Sequence, residues 1–150
     1  MSLTEVKNRL SESGLKATHQ RIVLLNAICL FDGHPTAENI YESVQEDNPS
    51  LSVSTVYRVL EDFEKAGLIN KVATKYGKQR FDSNTRPHNH IYCTRTNDIY
   101  DFYDEELNDL ITDFFKKRSI RNFRVTDIKL QVNGEKLDPK KKVLINNNHK

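Results

Sequence analysis

The stretch NPSLSVSTVYRVLEDFEKAG, Asn48 to Gly67, decides how the chain is read. Pro49 and the serines after it start a helix, Val56, Leu60 and Phe63 recur at helical spacing, and Gly67 supplies a stop. Residues 50–60 carry one Arg and no acid, while the acids crowd either side in ESVQED and EDFEK. The helix therefore buries one apolar face and leaves an acid-free surface open to phosphates. That permits nucleic-acid binding without requiring it.

Three helical patterns lie upstream. A short one spans Thr4 to Ser11. GLKATHQR is a turn followed by Thr18 as a candidate N-cap, and the run after it sets Ile22, Leu25, Ile28 and Cys29 at helical spacing. DGHPTAENIYESVQED opens on turn residues and Pro35, with Thr36 as cap and Asn39 three positions later, a weakened capping box. Ala37, Ile40, Tyr41 and Val44 form its buried stripe. Downstream, LINKVAT and KQRFD read as two short strands about a KYG turn. Helices followed by a hairpin describe a winged helix-turn-helix. A small α+β domain without ligands fits the same pattern.

The second half changes character. HNHIYCT and DIYDFY are short strands, and DEELNDLITDFFKKRS is a helix with Leu107, Leu110, Ile111, Phe114 and Phe115 on one face. Its charges follow the macrodipole, acids first and KKR last. FRVTDIKLQV reads as a strand with a bulge near Thr126 and Asp127, closed by an Asn133–Gly134 turn. About three strands and one helix make too small a core to stand alone, so the apolar face is expected to meet a second copy. The tail DPKKKVLINNNHK, His149 included, reads as a loose solvated end.

Composition narrows the class. With 150 residues, 37% hydrophobic and 29% charged, the chain reads as soluble and globular. No run approaches a membrane span, and MSLTEVKNRL has no apolar signal core, so a cytoplasmic protein is expected. Net charge is close to neutral, 23 Lys+Arg against 21 Asp+Glu. Cys29 and Cys93 make no disulfide framework and read as small apolar residues.

RPHNHIYC, Arg86 to Cys93, carries the chemistry. Adjacent H-N-H letters are not a nuclease signature, whose residues are spread along a ββα element. Strand alternation turns His88 and His90 to one side, with Asn89 opposite. Two imidazoles rarely hold a divalent metal alone. Asp82 just before, Asp101 in the next strand and His34 ahead of the third helix are candidate partners. Nitrogen and oxygen donors without thiolate suit iron, manganese or zinc.

Taken together, GLKATHQR, HPTAENIY, SVSTVYRVLEDFEKAGLI, RFD, HNHIYC and DIYDF resemble the ferric uptake regulator family, in order and spacing, over nearly the whole chain. The resemblance implies an α+β protein: an N-terminal winged helix-turn-helix at residues 1–83, a hinge at 84–89, a small C-terminal α/β dimerisation module at 90–138 and a flexible tail at 139–150. It implies a homodimeric repressor of double-stranded operator DNA, not an enzyme, with one regulatory divalent metal per subunit: iron or manganese, with zinc possible. The implied ligands are His34, Asp82, His88, His90 and Asp101.

For DNA, Ser52, Ser54 and Thr55 suit phosphate oxygens at a helix N-terminus. Tyr57 and Arg58 are expected to reach base edges or backbone, against packing for Tyr57 and pairing with Glu61 or Asp62 for Arg58. Lys16, Thr18, Gln20 and Arg21 resemble further family contacts. Two departures stand out. Family members usually hold a structural zinc with two CxxC pairs; here Thr96 follows Cys93 at the partner position and EKLDPKKK replaces the second pair, so no structural zinc is expected. Asp101, where iron sensors tend to have Glu, resembles the peroxide-sensing branch, which implies Fe(II)-catalysed oxidation of His34 or His88. A plain iron, manganese or zinc uptake regulator is the alternative. A metal-dependent hydrolase with a winged-helix docking module is disfavoured, because no further acid, base or nucleophile stands near the motif.

Overall fold

Each of the first four helices begins on a hydroxyl. In the computed structural model, which describes residues 1–72, 74 and 77–145, Ser2, Thr18, Thr36 and Ser52 accept from the backbone N–H three positions ahead. They open α1 (Leu3–Glu12), α2 (His19–Leu30), α3 (Ala37–Val44) and α4 (Val53–Lys65). Such caps contribute about 1 kcal/mol each. Thr36 and Asn39 form the reciprocal box expected from the sequence, and Ser2 and Glu5 form a second. α4 ends on Gly67 at φ 76°, where the Leu68 N–H reaches Phe63 O and the Gly67 N–H reaches Glu64 O. That double closure needs a left-handed residue, which glycine adopts without strain.

The chain divides into two compact units, Met1–Arg86 and Pro87–Lys150. In the first, Leu10, Leu24, Ile28, Ile40, Leu60 and Phe63 are fully buried. Val56, Val59, Leu60 and Phe63 line the inner face of α4, so the 3.6-residue period turns Tyr57 and Arg58 outward. Behind α4 come β1 (Asn70–Val72) and β2 (Arg80–Asp82), paired antiparallel with Asn70 opposite Asp82. Of the expected KYG turn, Lys75 and Tyr76 lie outside the described residues. The far edge of β2 pairs with the segment before α3: the Phe81 N–H donates to Pro35 O, and Thr36 bridges Arg80.

The second unit holds β3 (Asn89–Cys93), β4 (Ile99–Phe102), α5 (Glu105–Lys116) and β5 (Gln131–Gly134), in sheet order β4-β3-β5. β3 and β4 are antiparallel, β3 and β5 parallel. The strand expected over Phe123–Val132 is corrected: only Gln131–Gly134 pairs, and no bulge exists at Thr126–Asp127. Asn133 and Gly134 are not a turn but the last residues of β5, opposite Tyr92 and Cys93. A strand forms where a neighbour accepts its ladder, and within one chain β3 offers that edge only along His90–Cys93. None of α5 is buried. No helix among the described residues is long and apolar enough to cross a membrane.

Cys93 ties the end of β5 back to the sheet. Its Sγ accepts from the backbone N–H of Thr96 (3.4 Å) and of Lys136 (3.3 Å), while Lys136 Nζ pairs with Asp98 Oδ2 at 2.5 Å. Burial pushes the thiol up, but the hydrogen bonds from Thr96, Lys136 and Arg95 outweigh it and lower the pKa to about 7. A folded value below the ordinary thiol value of 9.0 stabilises the fold as pH rises from about 7 to 9, and that gain is lost as pH falls through 7. The urea midpoint under reductant should therefore climb between pH 6.5 and 9 in the wild type and stay flatter in Cys93→Ser. Parallel profiles would remove the thiolate from the account.

Candidate metal centre and nucleic-acid interface

His34 and Asp82 are 48 positions apart, yet the pairing of β2 with the Pro35 segment sets them side by side. His34 Nε2 lies 3.4 Å from Asp82 Oδ2, with both side chains almost wholly buried. The other oxygen, Asp82 Oδ1, accepts the Asn84 N–H at 2.8 Å, and Asn84 Oδ1 accepts the Arg86 N–H. Arg80 Nη1 donates to the His34 carbonyl at 3.2 Å, holding the imidazole's backbone. Burying a carboxylate against an imidazole is costly without a compensating charge or cation.

The second unit gathers three donors. His90 pairs in register with Asp101, and both His88 Nε2 and His90 Nε2 lie 3.4 Å from Asp101 Oδ1. The two Nε2 atoms are 3.0 Å apart. His88 and His90 therefore share a side, as alternation requires. Donors about 2.1 Å from one ion stand roughly 3.0–3.4 Å apart for octahedral to tetrahedral angles. The spacing fits a divalent cation capped on one face by two imidazoles and a carboxylate, a donor set that suits non-haem Fe(II) with open positions.

On the first unit the N-terminus of α4 carries a hydroxyl cluster. Ser52 Oγ sits 3.1 Å from Ser54 Oγ and 2.9 Å from Thr55 Oγ1. Arg58 is exposed and forms no ion pair among the described residues; Asp62 instead engages Arg21 Nη2 at 3.6 Å. Arg21 also donates to Lys16 O at 3.0 Å, so it braces α2 against α4. Lys16, Thr18 and Gln20 are exposed. Tyr57 is 40% exposed, and its hydroxyl donates to Glu38 Oε1. Glu38, Lys78 and Arg80 were not singled out from the sequence. No periodic pattern marks them, because their contacts cross between elements.

A model of the ferric uptake regulator family matches residues 12–133. The peroxide-responsive repressor PerR of Staphylococcus aureus (strain Mu50) is 31% identical over 125 residues, covering 83% of this chain and 82% of that protein. The ferric uptake regulator from Pseudomonas aeruginosa, solved with manganese, superposes with a TM-score of 0.76 at 27% identity, over 89% of this chain and 98% of that one. The ferric uptake regulator from Francisella tularensis, solved with iron, gives a TM-score of 0.66 at 26% identity, over 83% and 93%.

Proposed function

The chain belongs to the ferric uptake regulator family of metal-dependent transcriptional regulators, and from that premise we propose that it is a homodimeric repressor that senses peroxide through its regulatory metal. The observation that carries this reading is the convergence of His88, His90 and Asp101 on one point, a donor set compatible with redox-active iron. The likeness to a peroxide-responsive repressor at 31% identity supports it.

In this reading His34 and Asp82 supply the remaining donors, so one Fe(II) or Mn(II), with Zn(II) able to compete, takes ligands from both units. Residues 84–89 act as the hinge between a DNA-binding unit at 1–83 and a dimerisation unit at 90–138; of the expected tail 139–150, residues 146–150, His149 among them, lie outside the described residues. The buried Asp82 and the shared Asp101 carry the negative charge that a cation neutralises. Ligands that bind only the joined arrangement shift the population toward it. The separation of the two α4 helices in a dimer then matches half-sites on DNA. Ser52, Ser54, Thr55, Lys16, Thr18 and Gln20 meet the backbone, and Arg58 reaches base edges. Only two cysteines are present, Cys29 in one unit and Cys93 in the other, so no four-thiolate structural zinc is part of this reading and apolar packing holds the dimer. The protein is expected to act in the cytoplasm, where its DNA is.

Fe(II), held by these histidines and carboxylates, would supply the redox chemistry by which H2O2 loses its O–O bond. The ring of His34 or His88 takes up one oxygen, the other leaves as water, and the imidazole is oxidised by two electrons. An oxidised ring donates poorly, so the half-site it belongs to falls empty. The test compares Fe(II)- and Mn(II)-loaded protein on DNA before and after a low dose of H2O2, with peptide mapping. Release of the iron form alone, with one oxygen on the His34 or His88 peptide, is the expected result. Both forms remaining bound without added mass would make this a metal-level regulator of the same family.

A further inference from the structure

Glu38 is an acid placed where the DNA-facing surface should have none. It stands in the first turn of α3, and its Oε1 accepts the Tyr57 hydroxyl of α4 at 2.5 Å and pairs with Lys78 Nζ, ahead of β2, at 3.1 Å. One carboxylate oxygen thus joins α3, α4 and the hairpin. Lys78 is well exposed, with 62% of its side chain open to solvent, and its ammonium leans on the Glu38 carboxylate. The Tyr57 hydrogen bond holds the Glu38 carboxyl below the usual range, against burial and together with Lys78, so its charge persists through neutral pH.

Two consequences follow from donor and acceptor chemistry. Tyr57 has one hydroxyl proton, and it is committed to Glu38. What Tyr57 has left to offer DNA is an acceptor lone pair and its ring. A phosphate oxygen has no proton to give at neutral pH, whereas the amino groups of adenine and cytosine in the major groove do. Meanwhile the Glu38 charge repels phosphate and holds back the ammonium of Lys78, which could otherwise neutralise one.

We propose that Glu38 is a specificity-determining residue: it fixes Tyr57 as a hydrogen-bond acceptor for an amino-bearing base and withholds Lys78 from the phosphate backbone. It trades non-specific affinity for base readout. The inference rests on the DNA-binding reading above.

The test uses full-length Mn(II)-loaded protein, an inverted-repeat duplex that the wild type selects from a random pool, and a scrambled duplex of equal length, across a salt series. Glu38→Gln keeps a carbonyl for Tyr57 but removes the charge. It should raise affinity for the scrambled duplex about 3- to 10-fold and steepen the slope of log K against log salt by about 0.9, one added phosphate contact. The ratio of selected to scrambled binding should fall. Adding Lys78→Gln should return the slope to the wild-type value. An unchanged slope in Glu38→Gln, or a steepened slope that Lys78→Gln leaves in place, overturns the proposal while DNA binding stands. A wild type that selects no duplex overturns both. Thermal midpoints matched to wild type exclude misfolding as the cause.

Discussion

Asp82→Asn protein should need roughly 100-fold more Mn(II) than the wild type before it binds its DNA. The substitution is nearly isosteric at a residue that is 4% exposed. Asparagine keeps an oxygen for the Asn84 N–H, so the turn after β2 survives. What it removes is the anionic donor facing His34 Nε2. Loss of metal affinity passes to DNA through the coupling between the two ligands, which is reciprocal. Anisotropy of a labelled duplex, read against chelator-buffered Mn(II), measures the midpoint, and circular dichroism reports the fold. Asp101→Asn removes the anion from the other unit, where Asp101 faces both His88 and His90. If both carboxylates serve one ion, the double variant should lose far less than the sum of the single losses in free energy. Additive losses would mean two separate sites, and an unshifted midpoint in Asp82→Asn would remove Asp82 from the metal centre.

Local chemistry was the part of this chain written openly. Thr18, Thr36 and Ser52 announce their helices because a cap is a contact within four residues, and Val56, Leu60 and Phe63 announce a buried face because the helical period is local too. The shared side of His88 and His90 follows from strand alternation, and a hairpin of ordinary length sets Asp101 opposite His90. Other features had no such signature. Pairing of the Pro35 segment with β2 is long-range, so the sequence could nominate His34 and Asp82 by type but not say what brings them together. For Tyr57 the local pattern allows either bases or the core; its hydroxyl instead finds Glu38, 19 positions away on another helix. Alternation over Phe123–Val132 suggested a strand because it reports where side chains partition, not whether a neighbouring backbone is there to pair with.

The segment between α5 and β5 carries the other large effect. Phe123→Glu should weaken dimerisation at least roughly 100-fold. In the single chain Phe123 is 66% exposed, in company with Ile120, Val125 and Ile128, and on α5 Leu110 and Phe114 are exposed as well. Several large apolar side chains left open on one small unit mark a candidate interaction face. In the proposed homodimer a second copy would supply the cover. Because Phe123 is exposed in the monomer, the glutamate costs the isolated fold little. In a two-fold interface it appears twice, removing two aromatic anchors and burying two carboxylates without partners. Sedimentation velocity across a concentration series reads the dissociation constant, with Phe123→Leu as the size-conserving control. A wild-type constant for Phe123→Glu would move the interface elsewhere. Should the dimer fail as expected, DNA binding changes in a second measurable way. One unit meets one half-site, so the slope of log K against log salt should fall to about half its wild-type value, because half the phosphate contacts remain. A weakened dimer with an undiminished slope would mean that a single chain already makes every backbone contact, and the two-half-site geometry would have to be abandoned.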